Sequence, residues 1–330
     1  MTGGSRGRAR ASGPDDERGD SPASERDPEL PGADGRFTAE ASRRALSAIC
    51  AVAGLDATDA VALKLTVNSV YRLPRAGAVV RIATSAAMAH RIPKVVQVAR
   101  WLQDEGVPAV RLLPDVPTPV TAAGSLATVW VDEGPGAPPA PTAAELGGAL
   151  RRLHALAPPT PALPRWDPLD DVRRRMSDAE ALPAADRAFL DELTGRVAAG
   201  LRTVRYRLPT SVIHGDAHLG NLVRRPDGQV VLCDFDSVSI GPAEWDLVPL
   251  AVGTARFGYP PGWHTQLAAA YGADVTRWDG WPVLRAVREL KLVTSVLPIL
   301  ASNPTAAAQF RVRLQSLRTG DETVRWRPYS

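Results

Sequence analysis

From Phe37 onward the chain alternates between runs with helical spacing and runs with strand spacing. Thr38 precedes an Ala-rich amphipathic stretch, Ala39 to about Val52, and this capping residue with an apolar stripe behind it predicts a first helix. Three runs rich in β-branched and apolar residues follow at Val61–Val67, Val70–Leu73 and Ala78–Ala83, divided by Asn68-Ser69 and by Pro74-Arg75-Ala76-Gly77. They predict a small antiparallel sheet. A helical stretch from about Ala86 to Glu105 ends at Gly106, and two further strands are expected at Pro119–Ala122 and Ser125–Val131.

Gly134 to Pro141 reads as a linker, after which the pattern turns mainly helical. Thr142–Leu156 brings Leu146, Leu150 and Leu153 to one face, and Pro183–Val204 repeats the spacing. Strands are expected at Ser211–Ile213, Leu222–Arg224 and Val230–Cys233, the last two joined as a hairpin across Pro226-Asp227-Gly228. Helices resume near Glu244 and run to about Leu317, with breaks at Pro260-Pro261 and Asn303-Pro304. The expected class is α+β, with a small antiparallel-sheet lobe over residues 37–132 and a mainly helical lobe over residues 133–330. Residues 1–36 consist of Gly, Pro, Ser, Arg, Asp and Glu with almost no large apolar side chain, which predicts a disordered tail.

Composition narrows the classes. A chain of 330 residues, 45% hydrophobic, accommodates two lobes with cores of their own. The net charge of +3 comes from Arg and Lys interleaved with acids along the whole chain. No basic stripe or aromatic-studded recognition motif marks a nucleic-acid binder. Cys50 and Cys233 are the only cysteines, so a disulfide framework is excluded. The first residues lack the apolar core of a signal peptide, and the longest apolar stretch, Leu292 to Ala301, is short and carries Pro298. A soluble cytoplasmic protein is expected, with no membrane partner; oligomeric state has no signature in the sequence.

The candidate chemistry lies in His214-Gly215-Asp216-Ala217-His218-Leu219-Gly220-Asn221 and, beyond a short apolar run, in Asp234-Phe235-Asp236. An Asp followed five positions later by an Asn, with a second Asp ending a strand downstream, sets one carboxylate near an acceptor hydroxyl and two oxygen ligands around Mg²⁺. Together with Glu244-Trp245-Asp246-Leu247, these motifs, in this order and spacing, resemble the aminoglycoside phosphotransferase and choline kinase-like family, over roughly residues 60 to 320. Asn68-Ser69-Val70-Tyr71-Arg72 is similar to that family's nucleotide-covering hairpin, and Leu153-His154 to its "LH" helix.

The resemblance implies a bilobal protein kinase-like fold and a kinase that moves a phosphoryl group from ATP to a small-molecule hydroxyl: an aminoglycoside-like antibiotic, an amino alcohol or a sugar. It implies Asp216 as the catalytic carboxylate and Asn221 and Asp234 as Mg²⁺ ligands. His214 and Asp246 correspond to residues that brace the catalytic loop, His214 standing beside Asp216 in the catalytic motif. Asn68, Ser69 and Tyr71 correspond to the nucleotide hairpin, and Arg81 falls where kinases place a strand lysine on the phosphates. Two departures stand out. Arginine is a bulkier, planar donor, and the helix after it, Ala86 to Gln103, holds no acid to serve as the usual Glu partner.

Blander readings apply to several residues. His218 reads as a loop residue, His154 as helix packing, and Trp130 and Trp245 as core. Two rival functions use the same residues: a non-catalytic nucleotide-binding protein that keeps the fold, and a metallophosphoesterase, which needs further histidine ligands that His90, His154 and His264 do not supply. Acids able to face an acceptor include Asp167, Asp170, Asp171 and Glu289. Glu289 stands out on an apolar helical stretch, as a substrate contact or as the partner of Arg285 or Arg288. From Phe257 to Ser330 basic residues outweigh acids, which counts against a polycationic acceptor.

Overall fold

The computed structural model describes Met1 and residues 39–65, 68–83 and 86–329; the expected tail, Phe37-Thr38 and the end of the first expected strand lie outside the described residues. Helix α1 (Ala39–Ala53) buries Leu46, Ile49 and Cys50 against a five-stranded antiparallel sheet. The strands are β1 (Val61–Leu65), β2 (Asn68–Leu73), β3 (Ala78–Ala83), β4 (Val120–Ala122) and β5 (Ser125–Val131), arranged β1-β2-β3-β5-β4. Leu73, Ala78, Val80, Ile82 and Val129 form this core because alternate side chains of a strand share one face.

The expected helix over 86–105 is two pieces, α2 (Ala86–Ala89) and α3 (Ile92–Asp104). Pro93 sits in the first turn of α3, where its missing N–H costs nothing and its fixed φ starts a new helix. Helix α3 packs Val95, Val98 and Leu102 into a second, larger core shared with the helical part. That part contains α4 (Ala143–His154), α5 (Asp170–Ser177), α6 (Ala184–Thr203), α7 (Glu244–Phe257), α8 (Pro261–Tyr271), α9 (Trp281–Thr294) and α10 (Pro304–Thr319). A capping box opens α4: Glu145 N–H donates to Thr142 Oγ1 at 3.2 Å, and Thr142 N–H donates to Glu145 Oε2 at 2.8 Å.

Two features escaped the sequence pattern. Helix α5 has only Val172 and Met176 buried in an otherwise charged run, and β9 (Ser239–Pro242) is a four-residue strand containing Gly and Pro. The break between α8 and α9 was also unmarked; Gly272, at φ +97°, ends α8 in a left-handed cap. Strand β6 (Thr210–Ile213) pairs with β9, and β7 (Leu222–Arg224) with β8 (Val230–Leu232), the latter being the expected hairpin. No helix among the described residues is long and apolar enough to cross a membrane.

Candidate active site

The segment from His214 to Asn221 leaves β6 and enters β7 through a short 3₁₀ turn at Leu219–Asn221. Its shape is set from below by the first turn of α7. Asp246, fully buried, accepts hydrogen bonds from the amides of His214 at 2.6 Å and Gly215 at 2.8 Å, and from His154 Nε2 at 3.0 Å. Trp245 Nε1 donates to the Gly215 carbonyl at 2.9 Å, and Tyr271 OH lies 2.8 Å from His154 Nδ1. Gly215 holds φ +83°, and a Cβ there would lie 2.2 Å from the Ser237 carbonyl oxygen, so only glycine lets the two loops approach.

His214 lies beneath this loop, 1% exposed, with Nε2 donating to the Cys233 carbonyl at 2.9 Å; it lines neither of the cavities described below. Asp216, by contrast, opens into the cleft and receives Arg288 Nη1 on Oδ1 at 2.8 Å. Burial disfavours its charge, but the Arg288 cation, with the His218 ring beside it, outweighs this and holds its carboxyl well below the usual range. His218 stands 3.7 Å from Asp216 Oδ2, with its own pKa lowered by burial. Asn221 Nδ2 donates to the Asp216 carbonyl at 2.8 Å, which leaves its amide oxygen as the atom available to a cation.

Asp234, two residues past the end of β8, sits in the left-handed region at φ +65°, a conformation that Asp tolerates better than most residues. Beside it, Cys233 N–H donates to the Asn221 carbonyl at 3.0 Å, fixing the two candidate ligands in register. Burial pushes the Cys233 thiol up to about 12, so it remains an inert apolar neighbour.

Two cavities meet here. One, of about 310 Å³, lies between the sheet and the connection after β5; Val70, Val79, Val110, Trp130 and Phe235 make it an apolar slot, with Asn68 and Arg81 at its edge. The other, of about 240 Å³, lies over the loop that begins at His214 and is lined by Asp216, Arg91, Asp171, Arg175, Arg288 and Lys291. Asp234 and Asp236 line both.

Several expected residues land elsewhere. Ser69 and Tyr71 were grouped with Asn68, but strand alternation turns both to the opposite face, where Ser42 Oγ donates to Ser69 Oγ at 2.8 Å and lies 2.5 Å from Tyr71 OH. They are buried under α1 and do not line the nucleotide-sized cavity. Glu289 is 6% exposed and receives Arg256 Nε at 2.7 Å and Arg285 Nε at 2.9 Å; it is a buried ion pair, not a substrate contact. Trp130 lines the slot as well as packing in the core.

Arg81 finds an acid, though not on α2 or α3. Its guanidinium pairs with Asp236 and lies 3.7 Å from Asp234 Oδ1. Helix α3 contributes a cation instead: Lys94 Nζ donates to the Asp236 carbonyl at 2.6 Å and the Val238 carbonyl at 3.0 Å. Burial and nearby Arg91 depress that lysine's pKa to about 8. The cations around Asp216 went unforeseen because they come from three separate elements. The i, i+3 spacing of Arg288 and Lys291 on α9 was the one local signal that they share a face.

The donor set suits a divalent ion only in company. Among the described residues no three His, Cys, Asp or Glu side chains gather as a metal cluster. One carboxylate and one amide oxygen match the sparse protein ligation of Mg²⁺, which takes its remaining oxygens from phosphates and water.

Comparison with known proteins agrees with this geometry. A family model described as the phosphotransferase enzyme family matches residues 66–287, two-thirds of the chain. No curated protein matches the sequence. Among solved structures, a choline/ethanolamine kinase family protein from Mesorhizobium loti superposes with a TM-score of 0.56 at 20% identity, over 86% of this chain and 95% of that one. Aminoglycoside phosphotransferase APH(3'')-Id from Streptomyces rimosus gives 0.57 at 21% identity, over 74% and 96%. The amicoumacin kinase hAmiN gives 0.62 at 12% identity, over 88% and 96%. These likenesses establish the bilobal kinase-like fold, and with the family model they show that the chain belongs to the phosphotransferase enzyme family.

Proposed function

We propose that the protein transfers the γ-phosphoryl group of ATP to a hydroxyl of a small-molecule acceptor. The observation that carries this reading is the meeting of the two cavities at Asp234 and Asp236, with Asp216 opening only onto the second. The apolar slot suits a purine base, and Arg81 suits the phosphates that follow it. Solved relatives support the nucleotide: hAmiN was crystallised with AMP-PNP and Ca²⁺, and the Streptomyces rimosus enzyme with ADP and streptomycin.

In this reading Asp216 orients the acceptor hydroxyl and accepts its proton as the oxygen attacks the γ-phosphorus. The bond from phosphorus to the bridging oxygen breaks, and ADP leaves. Asn221 and Asp234 would hold Mg²⁺, which would supply positive charge to offset that of the phosphate oxygens. Asp246, His214 and Trp245 keep the catalytic loop rigid so that Asp216 is already aimed.

The test is Mg²⁺-dependent ATP consumption by the purified protein over a panel of sugars, sugar acids, amino alcohols and aminoglycosides, with Asp216→Ala in parallel. Turnover with one acceptor class should fall at least ~10³-fold in Asp216→Ala while nucleotide affinity stays unchanged. Retained turnover in that variant removes the role given to Asp216. Nucleotide binding with no turnover on any acceptor favours the non-catalytic alternative.

A further inference from the structure

Resting on the phosphotransfer reading of the same cleft, we infer that the acceptor carries a compact anionic group, a carboxylate or a phosphate, beside the hydroxyl it presents to Asp216. The cavity over the catalytic loop is lined by four cations: Arg91 from the turn before α3, Arg175 from α5, and Arg288 and Lys291 from α9. None of the four lines the nucleotide cavity.

Four carboxylates also line this cavity, and each is already engaged. Asp236 pairs with Arg81, and Asp234 lies at the boundary with the nucleotide site. Asp216 is the base and takes Arg288. Asp171 alone remains, shared between Arg91 at 2.9 Å, Arg174 at 3.0 Å and Lys291 at 3.3 Å. Arg175 is left with one bond, from Nη1 to the Lys291 carbonyl at 3.2 Å, and has no carboxylate in salt-bridge reach among the described residues.

Cations held this way are costly unless an anion completes the set. Burial depresses the pKa of both Lys291 and Arg175; Asp171 offsets part of this, and neighbouring cations add to the depression, so each remains below its ordinary value. A guanidinium with no carboxylate in salt-bridge reach, facing a cleft, presents a fork matched to carboxylate or phosphate. A polycationic aminoglycoside or a quaternary amine meets repulsion in the same place.

The experiment uses four compact probes that differ mainly in charge: glycerate, glycerol 3-phosphate, glycerol and ethanolamine. Each is titrated calorimetrically into the full-length protein saturated with Mg·ADP, so that the nucleotide cavity is filled. Glycerate or glycerol 3-phosphate is expected to bind, and which one binds tighter tells carboxylate from phosphate. Glycerol and ethanolamine are expected to give no measurable heat. Arg175→Gln and, separately, Lys291→Met are each expected to weaken anion binding at least tenfold, with ADP affinity unchanged and Arg175→Lys restoring part of the loss. Binding of glycerol or ethanolamine as tightly as either anion overturns the inference, as does anion binding unaffected by both substitutions, or no anion binding at all. Anion binding without ATP turnover leaves this inference standing while the kinase reading fails; turnover confined to neutral or cationic acceptors does the reverse.

Discussion

Asp171 shows how single side chains set the character of the cleft. Burial raises its pKa, but Lys291, Arg175 and Arg91 outweigh burial and bring it down to about 2. A depressed folded-state value means that its stabilising contribution is complete above the ordinary carboxylate value near ~4 and is lost as pH falls from there towards ~2. The melting-temperature gap between the wild type and Asp171→Asn should therefore stay constant between about pH 5 and 8 and close as the solution is acidified below about pH 4. A gap unchanged below that point would mean that the three cations do not hold the carboxylate. At this scale the sequence was legible where chemistry demands a local pattern, as at Asp216, Asn221 and Asp234. It was illegible where partners are distant: the acid for Arg81 lies 155 positions away, and Glu289 found Arg256, 33 positions away, as well as Arg285.

Among the elements, α7 does most to fix the site. Nearly every residue of its first two turns is buried, and its first turn delivers Asp246 to two backbone amides and an imidazole. Asp246→Ala would strand these buried donors and should cost roughly 3 kcal/mol or more of unfolding free energy, read from denaturant midpoints. Activity in the folded fraction should fall with it, since the loop loses the brace that aims Asp216. An undiminished midpoint would show that the loop holds its shape without α7. The Trp245-Asp246-Leu247 motif marked this element in the sequence through the family resemblance alone, since the amides that Asp246 meets lie 32 and 31 positions away. Helix α5 and strand β9 had no such announcement. One is too polar and the other too short to leave a periodic trace, yet α5 supplies Arg175 and β9 fixes β6 ahead of the catalytic loop. For Ser69 and Tyr71 the signal existed: alternation along β2 separates them from Asn68 and Val70, and motif resemblance alone does not tell the two faces apart.

In the whole molecule the sheet, α3 and the turn that carries Asp234 converge on one residue. Asp236 takes Arg81 from β3 on its side chain and Lys94 from α3 on its carbonyl. Asp236→Asn should loosen Arg81 and raise the KM for Mg·ATP several-fold while leaving the melting temperature near that of the wild type. An unchanged KM would mean that Arg81 is aligned by other contacts. The α+β plan was readable from the order of strand and helix periodicities, because the sheet buries one apolar face under α1 while the helices, α3 included, bury theirs in the larger core. In protein kinases, where a helix glutamate grips the strand cation, swinging that helix away disarms the enzyme, and phosphorylation exploits the motion as an on/off control. Here the grip belongs to the same turn that carries Asp234, so displacing α3 does not remove the acid from Arg81. On the proposed reading, the pairing that readies the site for nucleotide is built in with the fold and does not wait on the arrival of a helix-borne acid.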